Sequence, residues 1–409
     1  MIRLCEFIAA KISISMLKEK NKFIATLLAF AVIPMSGLAT DIYLPSMPSM
    51  ATELGQPESK IQLTLSIFLI SYGLTQFFAG SVVDSFGRYR VGLISLALFV
   101  VSFLITAATK DIMVIYAMRV VQGALSGFAV VAKRAFFVDV YEGEKRKHYL
   151  SIMTIVWSVG PIIAPFIGGY LQKIFGWQSN FYVLAGYSLI LLILEFIFSG
   201  ETLETKKPFF LKTVLQDYEM MFRTKDFFYG MLMCGVSYAI VIFFNLCGAF
   251  IIEHKMGYSE VIAGYVSLIL GLAWMMGGFL GKALIEKAFL PKIRYANFIQ
   301  LILIVLMMIC SFYINTIYSL VAFAFVIHVT AGFIFNNYFA YCLGRFPESA
   351  GVAGGLTGGF AFIITSAISY GIVAAIKPEI MFQVAIGYLV LGVMALIILS
   401  LIKLRKAHG

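Results

Sequence analysis

Arg119 and Gln122 stand three residues apart inside an apolar stretch running from Ile112 to Ala132, with Gly123 and Gly127 close behind them. On a helix, three residues bring two side chains onto one face, so a permanent cation and an amide would share a surface within hydrocarbon. An ionisable group there costs several kcal/mol unless it has a partner or faces water, which makes each such residue a candidate site. Arg119 lies about seven residues from the start of the stretch, roughly 10 Å, too deep for easy snorkelling. Two readings stand: an arginine bonded to neighbouring carbonyls for structure, or a cation working with a proton-carrying partner. Asp41 is the natural partner. It closes an apolar stretch and is followed by Ile42-Tyr43-Leu44-Pro45 and Pro48. It either marks the membrane edge or alternates between holding a proton and facing a substrate or an arginine. Glu195, the other acid in an apolar run, is expected to snorkel to the interface or touch the following linker. His328, Asn245, Asn336 and Asn337 add polar groups to the later runs. His328 reads as a hydrogen-bonded core histidine or as a relay and substrate contact. The later runs offer no firmly placed carboxylate, so proton chemistry is expected in the first half.

Two glycine patterns concern the backbone. Gly160-Pro161-Ile162-Ile163-Ala164-Pro165 leads to Gly168-Gly169, where missing amides permit bending and missing side chains permit close helix approach. The segment from Gly80 to Arg90 holds Asp84, Gly87 and Arg88 as well. Asp84 can cap a helix N-terminus or bind Arg88, and Gly80 can let another helix touch.

The elements that must position these residues follow from composition. Of 409 residues, 61% are hydrophobic and 13% charged, against roughly 25% charged in an ordinary soluble chain. Such a chain belongs in a bilayer, and a soluble enzyme, a disordered chain or a nucleic-acid binder is excluded. Apolar runs long enough to cross, about 17–25 residues, fall at about 23–41, 61–83, 91–109, 112–132, 149–171 and 181–198. Six more fall at about 227–252, 261–281, 295–314, 317–340, 350–376 and 379–402. The expected fold is an all-α integral membrane protein of twelve spans in two pseudo-symmetric six-helix halves, 23–198 and 227–402. A cytoplasmic extension (1–22), linker (199–226) and tail (403–409) complete it. Assigned to alternate loops, 25 of the 31 Lys and Arg residues fall on one side and five on the other, with Arg119 left inside a span. The basic side is expected in the cytoplasm together with both termini, so the net charge of +10 is a topology signal. Residues 1–15 are too short and lack the cleavage pattern of a signal peptide; they form an extension, or Met16 is the true start. The five cysteines show no metal or disulfide spacing and read as small packing residues.

With these elements in place, the motifs resemble those of the major facilitator superfamily, and within it the twelve-helix drug:proton antiporters of the Bcr/CflA type. The resemblance runs from about Asn21 to Lys406. Gly80, Asp84, Gly87, Arg88 and Arg90 match the superfamily's motif A, GxxxDRxGRR, with Ser85 in place of the usual arginine. Arg119-Val120-Val121-Gln122-Gly123 matches motif B, RxxQG. Gly160, Pro161, Pro165, Gly168 and Gly169 resemble the antiporter motif C, a mark of exporters. Asp41-Ile42-Tyr43-Leu44-Pro45 is similar to the D-x-Y-L-P segment of Bcr/CflA transporters, Glu201-Thr202-Leu203 to their ETL, and Asp139 to Glu144 to their acidic loop.

The resemblance implies a secondary active transporter of the bacterial inner membrane that exchanges protons for small, mainly hydrophobic drugs by alternating access. It assigns Asp41 to protonation or substrate competition, Arg119 with Gln122 to tuning it, Asp84 and Arg88 to a cytoplasmic gate, and Gly160, Pro161 and Pro165 to a gating bend. His328, Asn245 and Asn336 are candidate cavity groups. No catalytic residue, metal or cofactor is expected, since the proton gradient drives the cycle. The expected partners are the small-molecule substrate, protons and the lipid bilayer, without nucleic acid, and the chain is expected to be a monomer. A dedicated exporter of an endogenous metabolite such as a siderophore, and an importing symporter, are the alternatives. An anionic substrate would want more cavity cations than Arg119 and His328.

Overall fold

The computed structural model describes residues 16–203, 205, 211–346 and 349–402, with backbone only at 154, 211–215, 217 and 350. The extension up to residue 15, the tail from 403 and Lys206 and Lys207 of the linker lie outside the described residues. Twelve helices are long and apolar enough to cross a bilayer: α1 (Glu19–Glu53), α2 (Glu58–Phe86), α3 (Arg88–Ala108), α4 (Ile112–Val140), α5 (Gly143–Phe175), α6 (Gln178–Phe198), α7 (Lys225–Lys255), α8 (Glu260–Ala283), α9 (Phe289–Ser311), α10 (Ile317–Arg345), α11 (Gly351–Ile376) and α12 (Met381–Leu401). Large apolar side chains such as Leu98, Ile190, Phe298 and Ile397 stay exposed. A soluble protein would bury them; here lipid covers them.

The halves repeat one another. The extensively packed pairs α2 with α4 and α3 with α6 recur in the second half as α8 with α10 and α9 with α12. Between halves, α2 packs along α11, and α5 along α8. Each of these two seams is the other's counterpart under the same six-helix shift, the relation expected of a pseudo-two-fold axis.

Several spans outrun their apolar runs. The reading from hydropathy ends the fourth run at Ala132, yet α4 continues to Val140 and carries Lys133, Arg134 and Asp139 within the helix. Lys133 and Arg134 therefore leave the loop tally of basic residues. In α1 the helix is interrupted near Pro34 and again around Pro45, whose missing amide suits a short tight turn at Leu44–Ser46, before the chain resumes as Met47–Glu53. Asp41 thus lies well inside the span and is 3% exposed. The membrane-edge reading of this residue is corrected. The linker is not featureless either: Leu211–Arg223 forms a helix, and its Tyr218 hydroxyl donates to the Phe77 carbonyl at 2.7 Å.

Hydrogen bonds between spans of opposite halves gather at one end, opposite the more basic loops. There Gln62 donates to the Leu246 carbonyl (2.9 Å), Ser366 to the Ser66 carbonyl (2.9 Å) and Tyr370 to the Ser59 carbonyl (3.4 Å), while His254 meets Glu58 (3.1 Å) and Tyr170 meets Tyr265 (3.1 Å). The bundle is closed at this end.

Candidate functional site

Arg119 is fully buried among aromatic rings. Its guanidinium carbon sits 3.9 Å from the Tyr43 ring centre, 5.1 Å from Phe181 and 5.7 Å from Phe68. A desolvated cation gains about 2 kcal/mol from such a face. Nη1 donates to the Ala39 carbonyl and to Gln122 Oε1, both at 3.1 Å. Gln122 in turn donates from Nε2 to Thr106 Oγ1 (3.0 Å) and the Ser102 carbonyl (3.3 Å), tying α4 to α3. The three-residue spacing therefore does what it promised. Nε and Nη2 of Arg119 are buried without a hydrogen bond of good geometry, and Tyr43 is their electrostatic partner.

Asp41 does not bond to Arg119. Its Oδ1 accepts from the Asn245 side chain at 3.4 Å, across the two halves. The expected tuning of Asp41 by Arg119 has no direct contact behind it. What joins them is α1 itself, since Arg119 holds the Ala39 carbonyl and stacks on Tyr43, the residues two positions to either side of Asp41. Tyr43 also hydrogen-bonds Thr64 at 3.0 Å. Sequence reading took the D-x-Y-L-P segment for its acid; the tyrosine is the part that meets the arginine.

Of the second-half candidates only Asn245 reaches this cluster. His328 is buried within its own half, with Nε2 3.1 Å from the Tyr388 hydroxyl and Phe244 edge-on. Asn336 donates to the Gly332 carbonyl of its own helix at 2.8 Å and lies against Gly278. Neither joins Asp41. The acids of α7 lie at its two ends, just outside the apolar run 227–252: Asp226 pairs with Arg345 at 2.8 Å, and Glu253 sits in a π-helical turn, Ile251–Lys255, with Oε1 buried and unbonded. Glu195 is no snorkeller. It pairs with Lys133 at 2.6 Å, with side chains 2% and 6% exposed.

The motif segments assemble at the basic end of the first half. Arg88 binds Asp84 at 2.9 Å and also pairs with Asp139 of α4, which accepts from the Thr202 hydroxyl at 2.9 Å. The cap of α3 is Glu201, not Asp84. Its carboxylate accepts from the Arg88 and Tyr89 amides (3.0 and 3.3 Å) and from those of Thr202 and Leu203 (3.0 and 3.1 Å). An anion at a helix N-terminus satisfies orphan amides and the macrodipole together. Gly87 has φ +101°, and a Cβ there would strike Glu201. Gly80 meets open space instead of another helix, and Arg90 is exposed.

The Gly-Pro segment of α5 forms an unbroken helix through Pro161 and Pro165, and its use is close approach. A methyl on Gly168 would collide with the Ile42 carbonyl oxygen, one on Gly160 would come within 2.7 Å of the Pro34 carbonyl, and Gly37 of α1 receives the Pro161 ring. On its other face Gly169 meets the Glu260 carbonyl, while the Pro165 carbonyl meets Gly264 of α8. The segment is a seam that brings α1, α5 and α8 into contact across the halves.

The family model for the Major Facilitator Superfamily matches residues 29–370. The chain belongs to the major facilitator superfamily. Among superfamily members of known sequence, a bicyclomycin resistance protein homolog of Haemophilus influenzae is 26% identical over 87% of this chain and 90% of its own length. Multidrug resistance protein D of Escherichia coli is 25% identical over 84% and 86%. The solved D-xylose-proton symporter superposes with TM-score 0.69 at 15% identity, covering 91% of this chain and 97% of the other. The nucleoside transporter NupG gives 0.69 over 93% and 98%, also at 15%. The superfamily fold is therefore shared, and the chain is a multi-pass bacterial membrane protein and a transporter rather than an enzyme.

Proposed function

We propose that this transporter exports small, mainly hydrophobic compounds from the cytoplasm in exchange for protons, with both termini and the basic loops in the cytoplasm. The observation that carries the reading is Asp41: a buried carboxylate on a broken helix, bonded to Asn245 of the other half beside the closed end. A group so placed can exchange a proton only when the halves part. In the proposed cycle Asp41 takes up a proton from the outside when that end opens and releases it inside as substrate binds. Arg119 holds the Ala39–Tyr43 segment in register and offers Nε and Nη2 to the carboxylate during that change. Asp84, Arg88, Asp139 and Glu201 tie α2, α3 and α4 of the first half to one another at the cytoplasmic end. Under this orientation the structure is closed to the outside. At 100 mV each proton charge moving inward contributes about 2.3 kcal/mol. The names of the resistance-type relatives support a drug-like substrate.

The test is the pH gradient in everted vesicles. Substrate addition is expected to dissipate it in the native transporter and not in Arg119→Ala, with both inserted to equal levels. Undiminished dissipation in that variant would remove Arg119 from the coupling step.

A further inference from the structure

Arg134 occupies an unusual position in α4. Its side chain is exposed, while Lys133, Phe136 and Phe137 of the same helix are buried. An exposed guanidinium within a span fits the wall of a water-filled cavity better than a lipid face. It lies within electrostatic reach of the Tyr72 hydroxyl, which faces Ser36 of α1, Gln76 of α2 and Trp157 of α5. Among the described residues no carboxylate pairs with it. The contrast with Lys133 is instructive: one residue earlier and 100° around the helix, that cation is buried and neutralised by Glu195. Tyr72 itself is 3% exposed, and half-buried aromatic rings continue from it. Tyr72 packs on Phe362 of α11 at 4.7 Å, Phe362 on Tyr238 of α7 at 5.8 Å, and Tyr238 on Trp274 of α8 at 5.4 Å. Asp41 lies within electrostatic reach of Tyr238, at the closed side.

An unpaired cation on the wall of an intramembrane cavity marks a substrate path, and guanidinium is the side chain best shaped to bridge two oxygens of one oxyanion. We propose that Arg134 is a substrate-binding residue that takes the acidic group of the transported compound, so that the preferred substrates are aromatic or apolar bodies bearing one carboxylate or sulfonate. The head group sits at Arg134 on the cytoplasmic side, and the body lies along the half-buried Phe362, Tyr238 and Trp274, which keeps the anion away from Asp41. This inference rests on the exporter reading and names its substrate class. His328, removed from the cavity by its burial, is replaced by a cation that sequence reading had placed in a loop.

Calorimetric titration of the purified full chain with three probes of one shape tests it: 2-naphthoate, the neutral 2-naphthamide and the cation 2-naphthylmethylammonium. The native transporter is expected to bind the carboxylate about tenfold or more tighter than the amide. Arg134→Gln and Arg134→Ala should erase that preference while amide binding changes less than about twofold, and Arg134→Lys should restore part of it. Tightest binding of the ammonium probe, an unchanged preference in both neutral variants, or no binding of any probe below about 1 mM overturns the proposal. Vesicle assays separate it from the exporter reading. If naphthoate binding depends on Arg134 but no probe or drug discharges the pH gradient, export falls and the anion site stands. Discharge by neutral drugs with binding indifferent to Arg134 gives the reverse.

Discussion

Asp41 and Arg119 sit on different helices, joined through Ala39 and Tyr43, but hold different partners, and that separates what their substitutions should do. Asp41→Asn keeps the shape and the contact with Asn245 while removing the titrating proton. We expect the variant to bind substrate and to release no proton on binding, read as the pH change of a weakly buffered detergent solution; undiminished proton release would make Asp41 a structural residue. Arg119→Lys should fail for another reason. A lysine can hold the Ala39 carbonyl, but it lacks the planar face that Tyr43 covers and the second pair of donors, so proton exchange is expected to be lost although the chain still inserts. Lys133 and Glu195 give a residue-scale control away from the cluster. Glu195→Ala strands a buried cation and should cost about 3–5 kcal/mol, whereas the double change Lys133→Met with Glu195→Leu should come close to native stability, both measured by denaturation in detergent.

The elements show where sequence was a good guide. All twelve spans were legible because lipid demands about 20 apolar residues in a row, and the Arg119–Gln122 pair was legible because helical spacing is local. The ends of α4 were not. Charge density rises after Ala132 and mimics a loop, whereas the helix continues because Lys133 finds Glu195 on α6, Arg134 stays exposed and Asp139 finds Arg88. Those partners come from distant segments, and no periodicity announces them. Glycine patterns announced close approach, but only the fold says to what. Gly168 against Ile42 is the tightest of these contacts, so Gly168→Val should destabilise the α1–α5 seam by at least about 1–3 kcal/mol of overpacking. A change at Gly80, which meets open space, should be nearly silent in the same thermal-stability assay. Glu201→Gln is expected to weaken the α3 cap by about 1 kcal/mol.

For the whole molecule, export requires the closed end to open, and the seam between α2 and α11 makes this testable. Ser66→Cys with Ser366→Cys places two thiols where Ser366 now reaches the Ser66 carbonyl. Oxidation should halt transport, and reductant should restore it; transport unaffected by a formed cross-link would mean the halves do not part there. The closure has one further property, which concerns how such a protein tolerates change. Three of its bonds run from a side chain of one half to a backbone carbonyl of the other: Gln62 to Leu246, Ser366 to Ser66 and Tyr370 to Ser59. Any residue supplies a carbonyl, so exposed position 59 is free to drift without loosening the gate, while buried Leu246 and Ser66 are held only by the space they fill. Positions 62, 366 and 370 must keep a donor, and a saturation scan of growth under drug challenge should find polar identity demanded there, size alone at 246 and 66, and little at 59.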